Sequence, residues 1–233
     1  MKHVLWTSGF DSTYVVMKYL LEGETVQPIY FSQVDKRNSQ KIEEKAIGEL
    51  TSLICSSFPE FANSLLDTQF VVIECAAEID KKLSDLGGHG KSFRYPIGTQ
   101  TAMMAHFCQY FPEPIYLGVE HAESSIREGE MSRTHKFFFK YLSFDANDCG
   151  YIDETKLLTE KEKLLTIYKN LKFPVIKMTK QDMYDDSKDK NFKHILDETW
   201  SCWYPHRPSN RGKGCGRCFA CKGRIIPSGK YKK

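Results

Sequence analysis

Four hydroxyl side chains, a glycine and a carboxylate lie close together near the start of the chain, where residues 7–13 have the sequence TSGFDST. A short apolar run at residues 4–6 precedes them and predicts a buried strand. Asp11 opens an apolar pattern that predicts a helix ending at Gly23. A strand that turns directly into a helix leaves free N–H groups at the helix N-terminus, where the dipole also favours an anion. We therefore predict a phosphate-binding loop; the alternative is an ordinary strand–turn–helix connection.

A second group of reactive side chains lies near the other end of the chain. It consists of four cysteines, Cys202, Cys215, Cys218 and Cys221. Four thiolates at this spacing suit a tetrahedral Zn²⁺, and a site with four cysteines is structural because no coordination position stays open. An iron–sulfur cluster and a set of buried thiols are the alternatives. The other cysteines are scattered, and we expect them in the core: Cys55, Cys75, Cys108 and Cys149.

The bulk composition excludes several classes of protein. A chain of 233 residues with 41% hydrophobic and 27% charged residues is typical of one large globular domain, or of one domain with a small appendage. No apolar run approaches the ~18–20 residues that span a bilayer, and Asp11 interrupts the only stretch resembling a signal peptide, so we expect a cytoplasmic protein without a membrane partner. A net charge of +3 is too small to indicate nucleic-acid binding. The acid-free stretch after Glu198 suits phosphate contact or a solvated basic tail.

Short apolar strands alternate with helical patterns along the chain. After the first strand, strands are predicted at residues 26–31, 70–75, 114–119 and 173–178. Helices are predicted for about 17 residues from Ser39, near 77–83, from an opening at 95–100 through Cys108, over 159–171, and after a cap at Thr179. This alternation predicts an α/β fold with a doubly wound parallel sheet. We expect a nucleotide-binding domain at residues 1–198 and a zinc-binding segment at 199–233 packed on it.

Ligands of such sheets bind beyond the carboxyl ends of the strands. Polar pairs follow three of the predicted strands and are expected to meet there: Ser8-Gly9, Ser32-Gln33 and Glu120-His121. The glycine-rich stretch 87–92 ends in Gly-Lys-Ser like a Walker A loop, but Asp85 stands where that motif needs glycine. We interpret it as a flexible loop that could close over the site.

The two ends of the chain together resemble the 7-cyano-7-deazaguanine synthase family. The N-terminal motif is similar to the pyrophosphate loop Ser-Gly-Gly-x-Asp-Ser of ATP-dependent adenylating enzymes, with Thr7 for the serine and Ser8, less free to adopt positive φ, for the first glycine. Residues 199–204 (TWSCWY) and 215–224 (CGRCFACKGR) resemble the zinc end of that family.

The resemblance implies an adenine-nucleotide-hydrolase-like fold of the pyrophosphate-loop type and an AMP-forming carbon–nitrogen ligase. The family's substrate is 7-carboxy-7-deazaguanine, whose carboxylate is adenylated by ATP. Ammonia then displaces AMP to give an amide, and a second ATP converts the amide to the nitrile of the queuosine pathway. The implied cofactors are ATP, Mg²⁺ and Zn²⁺, and the implied assembly is a homodimer.

Roles for individual residues follow from the matched motifs. ATP and pyrophosphate contacts are assigned to Thr7, Ser8, Gly9, Phe10, Asp11, Ser12, Thr13, Gln33 and Gly118. The residues assigned to catalysis are Ser8, Asp11, Ser12 and Lys180, and Asp11 either holds Mg²⁺ or caps the helix. Substrate contacts are assigned to Arg94, Glu120, His121, Thr199, Trp200 and Ser201.

The middle of the chain departs from the family pattern. The family has Gln-Arg-His after the second strand, where this chain has Gln33-Val34-Asp35, and residues 122–150 replace the family's Tyr-Pro-Asp-Cys-Arg. Three alternatives stay open. The chain could join the deazaguanine acid to an amine on a protein or other macromolecule, for example in antiviral defence. It could instead modify tRNA, or be a non-catalytic nucleotide-binding subunit.

Overall fold

The computed structural model describes residues 1–32, 40–73, 98–121, 138–200 and 202, together with positions 78, 81, 82 and 85. The described part of the chain contains one sheet of seven strands. The strands are β1 (Lys2–Leu5), β2 (Val26–Ser32), β3 (Gln69–Val72), β4 (Ile115–Leu117), β5 (Leu142–Phe144), β6 (Gly150–Ile152) and β7 (Leu171–Phe173).

The strand order is β3-β2-β1-β4-β7-β6-β5. The first five strands in this order are parallel, and β6 and β5 continue the sheet in antiparallel pairing. Along the chain, β2 and β3 are added on one side of β1, and β4 and β7 are added on its other side. The direction in which strands are added therefore reverses between β1 and β4. Ligands of open α/β sheets bind at such a point.

Helices cover both faces of the sheet. They are α1 (Phe10–Leu21), α2 (Gln40–Ser57), α3 (Gly98–Cys108), α4 (Glu160–Lys163), α5 (Lys180–Asp189) and α6 (Lys193–Asp197). One core contains buried residues of α1, α2, α5 and α6, and a second contains those of α3. Alternation along β2 places Tyr30 in the first core and Ile29 and Phe31 in the second. The prediction of a doubly wound α/β fold is confirmed. None of the described helices is long and apolar enough to cross a bilayer.

The predicted fifth strand was placed wrongly. The strand β7 ends at Phe173, and residues 174–177 form turns. Pro174 carries no backbone N–H and therefore cannot donate to a sheet ladder. Val175 and Ile176 are nevertheless fully buried, which explains why their apolar pattern resembles that of a strand.

The hairpin β5–β6 was not predicted. Each of its strands has only three residues, too few for an alternating pattern to be recognised. A turn fixes the hairpin, because the Asp145 carboxylate accepts hydrogen bonds from the N–H groups of Asn147 (2.9 Å) and Cys149 (3.0 Å). The short helix predicted near residues 77–83 lies largely outside the described residues.

Candidate functional site

The loop between β1 and α1 is a compact turn at the carboxyl edge of the sheet. Ser8 is fully buried and has a left-handed backbone conformation, with φ of 54°. Its hydroxyl donates to the Thr7 carbonyl at 2.6 Å. The Ser12 hydroxyl accepts the N–H of Thr7 at 3.3 Å and lies 3.2 Å from the Gly9 carbonyl. These bonds tie the two ends of the turn together.

The first turn of α1 presents backbone donors at this edge. Gly9 is the N-cap residue, and the N–H of Thr13 makes the helix's first backbone bond, to the Gly9 carbonyl at 2.9 Å. The N–H groups of residues 10–12 therefore precede the intrahelical ladder, which is the arrangement that binds anions. The predicted strand–turn–helix is thus present, with the first-turn N–H groups of α1 at its N-terminus.

Two of the residues assigned to ATP point their side chains into the core. Phe10 is only 5% exposed and packs with other residues of α1. The Thr13 hydroxyl accepts a hydrogen bond from the indole N–H of Trp6 at 2.9 Å, and both side chains are fully buried. A ligand could reach these two positions only through their backbone. A sequence gives no direct sign of the Trp6–Thr13 pair, because the two residues belong to different elements.

A lysine and two carboxylates from three separate segments meet beside the loop. Lys180 Nζ lies 3.1 Å from Glu120 Oε1 and 3.7 Å from Asp11 Oδ2, and all three side chains are mostly buried. Lys180 is the first residue of α5, whose capping box joins Thr179 and Asp182 as predicted. The three segments follow β1, β4 and β7, which are neighbours in the sheet.

The charges in this cluster do not balance. Asp11 Oδ1 and Glu120 Oε2 are buried and accept no hydrogen bond within the described part of the chain. Burial raises the pKa of Asp11 to about 7, and the nearby Glu120 adds to this, although Lys180 opposes both. Burial alone would lower the pKa of Lys180, but the two carboxylates outweigh it and raise that pKa above its ordinary value. Two free carboxylate oxygens are the hard ligands that Mg²⁺ prefers, so Asp11 and Glu120 fit a divalent cation.

Gly118 lets β4 approach the loop closely. A Cβ atom at this position would lie 2.5 Å from the carbonyl carbon of Asp11 and from the N of Ser12. Real Cβ atoms do not approach backbone so closely, so a side chain at position 118 would push α1 away. The glycine thus has a clear packing role, and this contact brings the segment carrying Glu120 beside Asp11.

The C-terminal residues also contact the loop. The N–H of Trp200 donates to the Ser8 carbonyl at 2.9 Å, and its indole N–H donates to the Cys202 carbonyl at 3.2 Å. Thr199 is fully buried, and its hydroxyl donates to the Leu196 carbonyl at 2.7 Å. Sequence reasoning missed the backbone contact between Trp200 and Ser8, because any residue type except proline could make it.

The remaining assigned residues are either at the rim or outside the described part. The N–H of His121 donates to the Met178 carbonyl at 2.8 Å, and its ring lies edge-on to Phe139 with a centroid distance of 6.3 Å. Cys202 is buried. The other assigned positions lie outside the described residues: Gln33, Arg94, Ser201, Cys215, Cys218, Cys221 and the loop at 87–92.

Comparison with known proteins adds one match. Residues 148–227 are similar to the family described as queuosine biosynthesis protein QueC. This segment is a third of the chain; it contains Lys180, Trp200 and the four clustered cysteines, but not the loop at residues 7–13 or Glu120. A search of curated proteins found no match.

Proposed function

We propose that this chain is an ATP-dependent ligase that adenylates the carboxylate of 7-carboxy-7-deazaguanine and passes the acyl group to a nitrogen nucleophile. A carboxylate oxygen attacks the α-phosphorus of ATP, forming an acyl-adenylate and releasing pyrophosphate. Ammonia then attacks the acyl carbon, AMP leaves, and the amide is formed after loss of a proton. A second ATP would activate the amide oxygen on the way to the nitrile.

The observation that carries this proposal is the contact between the two ends of the chain. Trp200 and Lys180 belong to the segment that is similar to QueC. Trp200 hydrogen-bonds to Ser8 of the loop, and Lys180 lies beside Asp11 at the start of α1. The QueC-like segment and the strand–loop–helix therefore lie against each other, which supports one shared site, although the family match covers only the former.

The roles of the residues follow from the charge that develops during adenylation. The N–H groups at the start of α1 would hold the leaving pyrophosphate. Lys180 would separate from Asp11 and Glu120 and neutralise a phosphate oxygen instead. Asp11 and Glu120 would hold Mg²⁺, which when bound neutralises phosphate charge. Thr199 and Trp200 would line the deazaguanine pocket. Zn²⁺ on the four cysteines would be structural, holding the C-terminal segment against the loop.

Product analysis tests the proposal. Purified protein is mixed with Mg-ATP and 7-carboxy-7-deazaguanine, with and without ammonium, and the products are identified by mass spectrometry. We expect AMP and pyrophosphate together with the amide or the nitrile. Lys180→Met should abolish AMP formation, whereas Lys188→Met, which removes an exposed lysine from the same helix, should not. Absence of AMP from the wild type with this acid would refute the proposal.

A second candidate keeps the adenylation and changes the acceptor. The family match begins at residue 148, so much of the predicted substrate side, including Glu120 and Arg94, lies outside it. This favours a nucleophile other than ammonia, such as an amine on a protein. AMP formation without amide or nitrile, with a mass increase on a partner protein, would support this candidate. AMP with amide would exclude it.

A further inference from the structure

Lys180 lies near the N-termini of two helices. It is the first residue of α5, and its ammonium group lies beside Asp11 in the first turn of α1. The dipole of a helix disfavours a cation at its N-terminus. Within the described residues, the ion-pair partners of Lys180 are Asp11 and Glu120. The ammonium group therefore depends on these two carboxylates to stay at this position.

The ammonium group contacts one oxygen of each carboxylate. Lys180 Nζ lies 3.1 Å from Glu120 Oε1 and 3.7 Å from Asp11 Oδ2. The other two oxygens, Glu120 Oε2 and Asp11 Oδ1, are closed to solvent. Each carboxylate thus offers a cation from solvent only the oxygen that faces the ammonium group.

A divalent cation and the ammonium group compete for these oxygens. A metal ion bound to Glu120 Oε1 and Asp11 Oδ2 would lie next to Nζ, and like charges at such short range repel each other strongly, the more so away from water. The side chain of Lys180 is only 15% exposed, so this repulsion is poorly screened. A metal ion can therefore bind the two carboxylates only if Lys180 moves away from them.

Lys180 needs another acceptor before it can move. A mostly buried cation that loses both counter-charges is strongly unfavourable. The neighbouring groups at the start of α1 are N–H donors, which cannot accept a hydrogen bond from an ammonium group. The phosphates of a nucleotide would supply acceptor oxygens and negative charge at the same edge.

We propose that Lys180 occupies the metal position of the free protein and keeps divalent cations out until nucleotide phosphates draw the ammonium group away. The inference rests on the proposed function, because it takes Asp11 and Glu120 to be the Mg²⁺ ligands and a nucleotide to supply the phosphates. Metal and nucleotide would then each strengthen the binding of the other. Without nucleotide, a neutral residue at position 180 should tighten metal binding at least about tenfold, because the charge-assisted bonds of the ammonium group no longer compete.

Binding of Mn²⁺ tests this without any turnover. Mn²⁺ is a paramagnetic substitute for Mg²⁺ at carboxylate sites, and the relaxation rate of water protons rises when it is bound to a protein. The rate is measured for the intact wild type, for Lys180→Met and for Lys188→Met, with Mn²⁺ alone and with Mn²⁺ and ATP. We expect Lys180→Met to raise the rate with Mn²⁺ alone, and the wild type to raise it only once ATP is added.

Two further variants identify the cause. Lys188→Met removes the same charge from an exposed position of α5, where Lys188 pairs with Asp185, and should behave like the wild type. Combining Lys180→Met with Asp11→Asn should abolish the binding of Mn²⁺ alone, because one of the two carboxylates is lost. Binding that survives in this double variant would mean that the metal lies elsewhere, and would overturn the inference.

The wild type is informative even if the variants at position 180 do not fold. Equal binding of Mn²⁺ with and without ATP by the wild type would overturn the inference, as would equal binding of Mn²⁺ alone by the wild type and Lys180→Met. The expected Mn²⁺ binding without AMP from the deazaguanine acid would refute the proposed substrate and leave the role of Lys180 standing. AMP formation with unchanged Mn²⁺ binding in Lys180→Met would refute only the role of Lys180.

Discussion

Ser8 of the loop has a backbone conformation that serine does not favour. Ser8 occupies the position of the first glycine in the pyrophosphate-loop pattern, and its φ is 54°. A left-handed conformation costs a non-glycine residue ~1–2 kcal/mol, so the loop keeps its glycine-like shape at some cost in stability. Ser8 therefore has a backbone conformation that a glycine adopts without strain.

Replacing Ser8 tests this conformation. Glycine would relieve the backbone strain, but a glycine loses more chain entropy on folding than a serine does. Because these two effects nearly cancel, Ser8→Gly should change the free energy of unfolding by less than ~1 kcal/mol. Valine is branched at Cβ and strongly disfavours positive φ, so Ser8→Val should lower it by ~2 kcal/mol or more. Urea unfolding measures both variants. Equal stability of the two would contradict the left-handed conformation.

The shifted pKa of Asp11 makes stability depend on pH. An ordinary aspartate has a pKa of about 4, whereas burial raises that of Asp11 to about 7 in the folded protein. Between these values the folded state holds a proton that the unfolded chain has lost. The contribution of Asp11 to the free energy of unfolding is therefore greatest at low pH and falls as the pH rises from about 4 to about 7.

The free energy of unfolding, measured at different pH values in the presence of a chelator, tests this pH dependence. Asp11→Asn removes the titrating group, so its stability relative to wild type should be higher at pH 8 than at pH 5. Asp185→Asn, which changes an exposed carboxylate of α5, serves as a control because it should not show this trend. A wild type and an Asp11→Asn variant with parallel pH profiles would rule out the shift.

At the scale of elements, the site depends on how closely helices approach strand ends. α1 is held against β4 at Gly118 and against α5 by the Tyr14 hydroxyl, which donates to Asp186 at 2.7 Å. α5 in turn begins at Lys180 because Thr179 and Asp182 cap it. The distance between Asp11 and Lys180 is therefore set by the packing of two helices.

Two glycine-to-alanine substitutions distinguish the steric effect of a close backbone contact from the effect of helix propensity on stability. Gly118→Ala would place a Cβ 2.5 Å from the backbone of α1 and should lower the free energy of unfolding by ~1–3 kcal/mol. Gly48→Ala, in the exposed interior of α2 with nothing within 4 Å, should raise it by ~0.5–1 kcal/mol. Thermal unfolding shows whether each substitution raises or lowers the free energy of unfolding. A stabilising Gly118→Ala would mean that β4 and α1 are further apart.

At the scale of the whole molecule, residues almost two hundred positions apart complete one loop. The Ser8 carbonyl receives the N–H of Trp200, and Trp200 is followed closely by Cys202, the first of the predicted zinc ligands. Trp200 is thus part of the wall of the candidate nucleotide site. Changes in this segment should consequently alter nucleotide binding as well as stability.

Removing one backbone donor tests this coupling. Trp200→Pro deletes the N–H that reaches Ser8 and should weaken ATP binding at least about tenfold, because a buried carbonyl loses its partner beside the phosphates. Trp200→Phe keeps the backbone N–H and loses the indole contact to Cys202, so it should bind ATP within about threefold of wild type. Calorimetry provides the comparison. Equal affinities of the two variants would show that the contact does not shape the loop.

The strands and helices that could be predicted are those with strong local sequence patterns. Apolar runs marked β1, β2 and β4, and caps marked the start of α5, because these signals depend on neighbouring residues. The strand after residue 170 was displaced because Val175 and Ile176 are buried in turns, and β5 and β6 were too short to recognise. Burial alone does not distinguish a strand from a buried turn.

The α/β class, the strand–loop–helix at the N-terminus and the cluster of four cysteines could all be recognised from the sequence, since each depends on residues close together in the chain. The expected meeting of strand ends did not specify that Lys180 pairs with both Asp11 and Glu120 in a buried cluster, or that the N–H of Trp200 bonds to Ser8; these contacts are known from the structure. These contacts follow from the order of β1, β4 and β7 in the sheet and from the close approach that Gly118 permits. Strand order depends on packing between distant segments, which no local pattern of residues specifies.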